Sequence, residues 1–203
     1  MTPQEKLSRR RFLLGVGAAS AAMGAAAVTH AVLPAGPFSL VDDRRRSIAP
    51  QQLPVNRSAR QAGVTDLAAD PGWALRVTNG SRVQRFTLDD LRALRLRQET
   101  LPISCVEGWT TNAVWEGVPL SDLLALVEAP EGTPLRMHSM QQRGAFGVTT
   151  MGAQYTHDPK TLIALRVNGE ELSLDHGFPA RVIAPGRPGV LLTKWLDEIA
   201  VLS

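Results

Sequence analysis

The 203-residue chain carries one cysteine, Cys105, one tyrosine, and only 5% aromatic residues. A single sulfur excludes an intramolecular disulfide framework and any zinc or iron–sulfur site built on several cysteines. It also excludes the Cys-x-x-Cys-His motif of covalently attached haem. Repeats and low-complexity segments are absent. An excess of one charge is nearly absent too, although the net value is +3. Lys6, Arg9, Arg10 and Arg11 stand before Phe12, beside Glu5. Without these five residues the 22 basic and 19 acidic side chains fall to 18 of each. The basicity is therefore local to the N-terminus, and no polybasic groove is left for a nucleic-acid backbone. What is present is the 44% hydrophobic and 20% charged content of an ordinary globular chain, long enough for a leader and one domain.

Residues 1–33 read as an export signal. Ser8-Arg9-Arg10-Arg11-Phe12-Leu13-Leu14 precedes an uncharged, Ala- and Gly-rich run to Leu33. The paired arginines followed by Phe-Leu resemble the twin-arginine signal, which addresses proteins crossing the bacterial membrane already folded. Thr29-His30-Ala31 would serve as a cleavage site. The alternative is a membrane anchor, because the uncharged run from Phe12 to Leu33 can just span a bilayer. Residues 34–52, with Arg44, Arg45 and Arg46, read as a linker able to touch anionic headgroups. The expected location is periplasmic, or the outer face of the cytoplasmic membrane. An exported folded protein often carries a cofactor loaded in the cytoplasm.

Residues 53–203 form the expected catalytic domain. Trp73–Val77 alternates and meets Asn79-Gly80, which predicts a hairpin toward Val83–Phe86. Thr87 reads as the N-cap of a short helix through Leu94, with Asp89 and Asp90 in its first turn. Pro119 reads as the first residue of a second helix through Leu120, Leu123, Leu124 and Val127. Leu135–Met140, Leu162–Val167 before Asn168-Gly169, Arg181–Ala184 and Ile199–Leu202 read as strands. Strands dominate, which favours an α+β or β-rich mixed domain over alternating βαβ units.

Cys105 lies in Leu101-Pro-Ile-Ser-Cys105-Val-Glu107-Gly108-Trp109-Thr110. An unpaired cysteine in an oxidising compartment is buried, ligated or used. Three readings stay open on the residues alone: a small buried hydrophobe, a soft metal ligand, or a nucleophile activated by His138, His157 or His176.

Cys105-Val-Glu-Gly-Trp-Thr, followed by Trp115-x-Gly-Val-Pro-Leu-x-x-Leu-Leu, resembles the molybdopterin-binding domain of the sulfite oxidase superfamily. So does Asp175-His176-Gly177-Phe178-Pro179-Ala180-Arg181, with Lys194-Trp195-Leu196 just after. The short, twin-arginine-exported bacterial members, which include the periplasmic methionine-sulfoxide reductase catalytic subunit, are the nearest branch in this pattern. The resemblance implies a three-layer, β-rich α+β fold and a molybdenum held by a pterin dithiolene and a cysteine thiolate. It implies that Cys105 is the metal ligand, and that Asn56, His176, Arg181, Thr193 and Lys194 hold the pterin and its phosphate. Arg143, in Ser139-Met-Gln-Gln-Arg143-Gly144, is a candidate for binding an anionic or polar S-oxide; a plain loop arginine is the other reading. Glu107 is expected to point away from the metal or to pair with an arginine.

The implied reaction is oxygen-atom transfer to or from a small oxo substrate, with molybdenum cycling between its +6 and +4 states and S-oxide reduction favoured over sulfite oxidation. Sulfite oxidases proper carry a further dimerisation domain, so a monomer is the expectation here. Without haem, electrons are expected to come from or go to a separate protein, a membrane cytochrome or a soluble carrier. The competing readings are a cofactor-free, membrane-tethered binding module of the same fold and a thiol enzyme using Cys105.

Overall fold

The computed structural model describes residues 50–104 and 108–202. The leader, the Arg44–Arg46 cluster, Cys105 and Glu107 lie outside the described residues. The chain divides between Ser47 and Ile48, and the account below concerns the second unit, Ile48–Ser203.

Among the described residues, ten strands form two sheets. β1 (Ala74–Asn79) and β2 (Arg82–Thr87) make the expected hairpin, although its two turn residues are Gly80 and Ser81, not Asn79-Gly80. Asn79 stays in the ladder because its side-chain amide donates to the carbonyls of Val127 and Glu128. β1 also pairs in parallel with β10 (Leu196–Val201), which pairs antiparallel with β5 (Leu135–Ser139). β6 (Val148–Met151) closes that sheet, in the order β2-β1-β10-β5-β6. The other sheet runs β3 (Arg97–Ser104), β4 (Thr110–Pro119), β7 (Leu162–Val167) and β8 (Glu170–Glu171), with β9 (Arg181–Ile183) also on β7. The β7–β8 turn is Asn168-Gly169, both at positive φ as a two-residue hairpin requires.

The helices are short. α1 is Ala59–Ala62 and α2 Thr65–Ala68. α3 (Leu88–Ala93) has the predicted Thr87 cap, in a reciprocal box with Asp90. α4 (Leu120–Leu126) buries Leu120, Leu123 and Leu124, and α5 is Ala153–Thr156. Pro119 corrects the expectation: it is the N-cap of α4, not its first turn, because it still pairs with Leu162 as the last residue of β4. Among the described residues no helix is long and apolar enough to cross a membrane.

Both sheets share one core. Leu75, Val77 and Ile199 meet Trp115, Val118 and the nearly continuous apolar run of β7, with the α4 leucines beside them. A second cluster gathers Ala59, Ala62, Val64 and Ala68 around Trp195. That packing seats α1 and α2 against the segment bearing Lys194. Ordered contacts also reach upstream of Leu53: Pro50–Gln52 makes a 3-10 turn, and the Gln51 amide oxygen accepts from the Ser173 N–H.

Candidate functional site: a cationic cleft

An open cleft of about 780 Å³, solvent at its mouth included, lies between Leu53–Arg57, the ends of β3 and β4, and the turns around β9. Asn56, His176, Arg181, Thr193 and Lys194 all line it. Residues separated by up to 138 positions in the chain are thus gathered on one surface, as the resemblance implied. Ser104 and Trp109 line it too, so the described chain on either side of 105–107 stands at its wall.

Arg181 is 4% exposed, at the start of β9. Its Nη1 donates to the His176 carbonyl at 3.0 Å and Nη2 to the Leu192 carbonyl at 3.4 Å, with the guanidinium over the Trp115 ring. Nε is buried without a hydrogen-bond partner among the described residues. Lys194 Nζ donates to the carbonyls of Arg57 and Asp175, 2.5 and 2.9 Å away, and sits over the Trp195 ring. Neither cation makes an ion pair among the described residues. Burial lowers Arg181 to a pKa of about 9. It also lowers Lys194 to about 7, helped by the charge of Arg181. Desolvated positive charge hydrogen-bonded only to neutral carbonyls is costly, an effect partly offset at Lys194 by the Asp175 carboxylate, and an anion placed among these groups would relieve it further.

His176 is 3% exposed. Nε2–H donates to the Leu53 carbonyl at 3.1 Å, and Nδ1 accepts from the Ser173 hydroxyl at the same distance. The Gln51 amide oxygen, 2.9 Å from Nδ1, would favour a second ring proton. Burial first, then the positive charge of Arg181, opposes it and wins, holding the pKa at about 4. His176 is therefore a neutral ring that ties Leu53 to the cleft wall. Gly177, at φ +108°, is required beside it: a Cβ there would lie 3.0 Å from Lys194 Cβ and 3.2 Å from Arg181 Cβ.

Thr193 is buried and its hydroxyl bonds that of Thr149 at 2.9 Å. Arg143 is placed differently from the rest. It is exposed on the β5–β6 loop, outside the cleft lining, and its backbone carbonyl accepts from Arg57 Nη2 at 2.7 Å. Arg57 itself lines the cleft, with a buried Nε that has no hydrogen-bond partner among the described residues. Its neighbour Gly144 has φ +105°, and a Cβ there would meet the Arg57 guanidinium at 2.7 Å. Sequence reasoning gave Arg57 no role, because its position depends on backbone carbonyls that no motif encodes. The Asn56-Arg57 dipeptide before a capping serine was the available signal. His138 and His157 pair with Asp197 and Glu131 at exposed sites away from the cleft. Only His176 of the three candidate bases lies at its wall.

The residues fit a phosphate-bearing group: buried Arg181 and half-buried Lys194, neither in an ion pair among the described residues, and two buried guanidinium nitrogens, Nε of Arg57 and of Arg181, without a hydrogen-bond partner there. No cluster of three or more His, Cys, Asp or Glu suited to a metal ion exists among the described residues.

Comparison with known proteins agrees. The profile described as "Oxidoreductase molybdopterin binding domain" matches residues 62–203. Sulfite oxidase of Arabidopsis thaliana is 35% identical over 114 residues, covering 47% of this chain and 29% of the relative. Mitochondrial sulfite oxidase of Rattus norvegicus is 30% identical over 155 residues, 61% of this chain and 28% of the relative. NADH nitrate reductase of Solanum lycopersicum is 28% identical over 178 residues, covering 71% and 19%. The chain thus spans less than a third of the length of these curated relatives. Among solved structures, the sulfane dehydrogenase SoxCD from Paracoccus pantotrophus superposes with a TM-score of 0.58 at 25% identity, over 64% of this chain and 38% of that one. The cleft, its order of residues along the chain and these matches agree: the chain belongs to the oxidoreductase molybdopterin-binding family of sulfite oxidases and nitrate reductases.

Proposed function

We propose that this chain is an exported oxidoreductase that transfers an oxygen atom to or from a small oxo compound, with S-oxide reduction favoured over sulfite oxidation. The observation that carries the reading is the pair of cations lining the cleft, buried Arg181 and half-buried Lys194, neither in an ion pair among the described residues. Arg181 and Lys194 would hold the phosphate end of the pterin, with Asn56 and the Thr193 region along its flank. Arginine offers parallel donors to phosphate oxygens where lysine supplies a point charge. Cys105 would supply the thiolate to the metal. The bound molybdenum centre supplies the two-electron oxygen-transfer chemistry, and the protein orients it and shapes the pocket. His176, neutral at pH 7, keeps Leu53–Arg57 in place as one wall and adds no charge beside Arg181.

Electrons would pass to or from a separate carrier, a membrane cytochrome or a soluble protein. Arg143 stands on the loop whose Gln141 and Phe146 line the cleft, which keeps it a candidate for meeting an anionic substrate at the rim. The leader would bring the loaded protein across the cytoplasmic membrane. The test is a paired assay on protein recovered from its native export route. Methionine sulfoxide with a reduced viologen dye should be turned over, and sulfite with ferricyanide should not. The reverse pattern would overturn the direction, and silence in both would overturn the substrate class.

A further inference from the structure

The stretch between β9 and β10 builds part of the cleft wall from residues with little regular structure. Gly189, Val190, Leu192 and Thr193 line the cleft, yet Ala184–Pro188 is a Pro- and Gly-rich turn. Arg187 N–H bonds the Ala184 carbonyl across Pro185-Gly186, and Gly186 has φ +67°, the geometry of a type II turn. After it comes a single 3-10 turn, Gly189–Leu191. The stretch's own backbone bonds are local, from the N–H groups of Arg187, Leu191, Leu192 and Thr193, and the Val182 N–H to the Thr193 carbonyl joins it to β9; side chains supply its bonds to the other sheet.

Arg187 supplies them. It is 5% exposed, with Nε donating to the Leu191 carbonyl at 2.9 Å and Nη2 to the Thr150 carbonyl of β6 at 2.7 Å. Its guanidinium covers the Tyr155 ring, centroid 5.2 Å away. The loop is thus closed on itself and fastened to the neighbouring sheet by one side chain. The Thr149–Thr193 hydroxyl bond fastens the adjacent rung. Arg187 makes no ion pair among the described residues and does not line the cleft, so it is no anion ligand itself.

We propose that Arg187 is a positioning residue: it holds the 188–193 wall against β6, setting where Thr193 and Lys194 meet the cofactor. The cofactor part of this inference rests on the functional reading above, and the wall part does not. The test compares the full chain with Arg187→Met and Arg187→Lys by two readouts. In cofactor-free protein, amide hydrogen exchange at Leu191, Leu192 and Thr193 should quicken about tenfold or more in Arg187→Met, as loss of two charge-assisted bonds implies. Amides of β1 and β10 should keep their rates, and Arg187→Lys, able to reach one carbonyl, should recover part of the protection. In protein from a cofactor-producing host, pterin released per folded chain should fall by a similar factor in Arg187→Met.

Unchanged exchange at 191–193, or an equal rise throughout the domain, would overturn the proposal. Quickened exchange with full pterin content would overturn the link to the cofactor. Wild-type protein lacking pterin would defeat the functional reading and leave the exchange comparison to decide the wall. If Arg187→Met does not fold, Tyr155→Leu removes only the ring beneath the guanidinium. It should then quicken the same amides by a smaller factor, about threefold; no change there would count against the proposal.

Discussion

Lys194 loses hydration in the cleft and faces the positive charge of Arg181, against which the Asp175 carboxylate and two backbone carbonyls act only in part, with Arg57 adding further repulsion. Its pKa falls from the usual 10.5 to about 7. Between those values the unfolded chain binds the extra proton, so stability of the cofactor-free protein should rise with pH across that window and be lost as pH falls toward 7. Urea unfolding at pH 7 and pH 9 checks this, and Lys194→Met should flatten the difference. A bound anion offsets the desolvation, so loaded protein should also show a flatter profile. His176 acts at the acid side with the same sign. Its pKa falls from 6.5 to about 4, so its contribution is present above pH 6.5 and is lost as pH falls through about 4. Unfolding midpoints at pH 4.5 and 7 should therefore differ less in His176→Gln than in wild type. For retention of the pterin, Arg181→Gln removes the charge but keeps two donors. Its pterin content per chain should drop at least about tenfold, the scale of one charge-assisted bond.

At the level of elements, the β4–β7 contact is the tightest approach. A register shift falls between Glu116 and Gly117, and a Cβ on Gly117 would lie 2.1 Å from the Ile163 carbonyl oxygen. Backbone cannot give way as a flexible side chain does, so Gly117→Ala should destabilise by about 3 kcal/mol in denaturant titration. Thr87→Ala removes only the α3 cap and should cost about 1 kcal/mol. The same elements show what the residues announced. Thr87 with Asp90, Asn168-Gly169, and Leu120, Leu123 and Leu124 each carry a local rule that the fold obeys. β3 and β4, which flank Cys105, were not legible as strands. Pro102 lies within β3 and is tolerated because β3 is an edge strand. In β4, Asn112 and Gly117 are poor strand formers and Pro119 read as the start of a helix, while cross-strand pairing decides the matter. β10 begins at Leu196, three residues before the expected Ile199, because a bulge accommodates Asp197 and Glu198.

Across the whole molecule, the cleft joins a segment before the first strand, the β3–β4 connection and the turns near the C-terminus. That Asn56, His176, Arg181, Thr193 and Lys194 belong together was implied by the family resemblance, and they line one cleft. The roles of Arg57 and Arg187 were not, since each works through carbonyls brought near by tertiary packing. Cys105 stands outside the described residues, and its part in metal binding is the claim on which the functional account turns. The direct measurement is molybdenum and pterin per chain, on wild type and Cys105→Ser purified from the native export route. The account predicts close to one of each in wild type, with molybdenum lost in Cys105→Ser while the fold is kept. Folded wild-type protein from a cofactor-competent host that holds neither would contradict it.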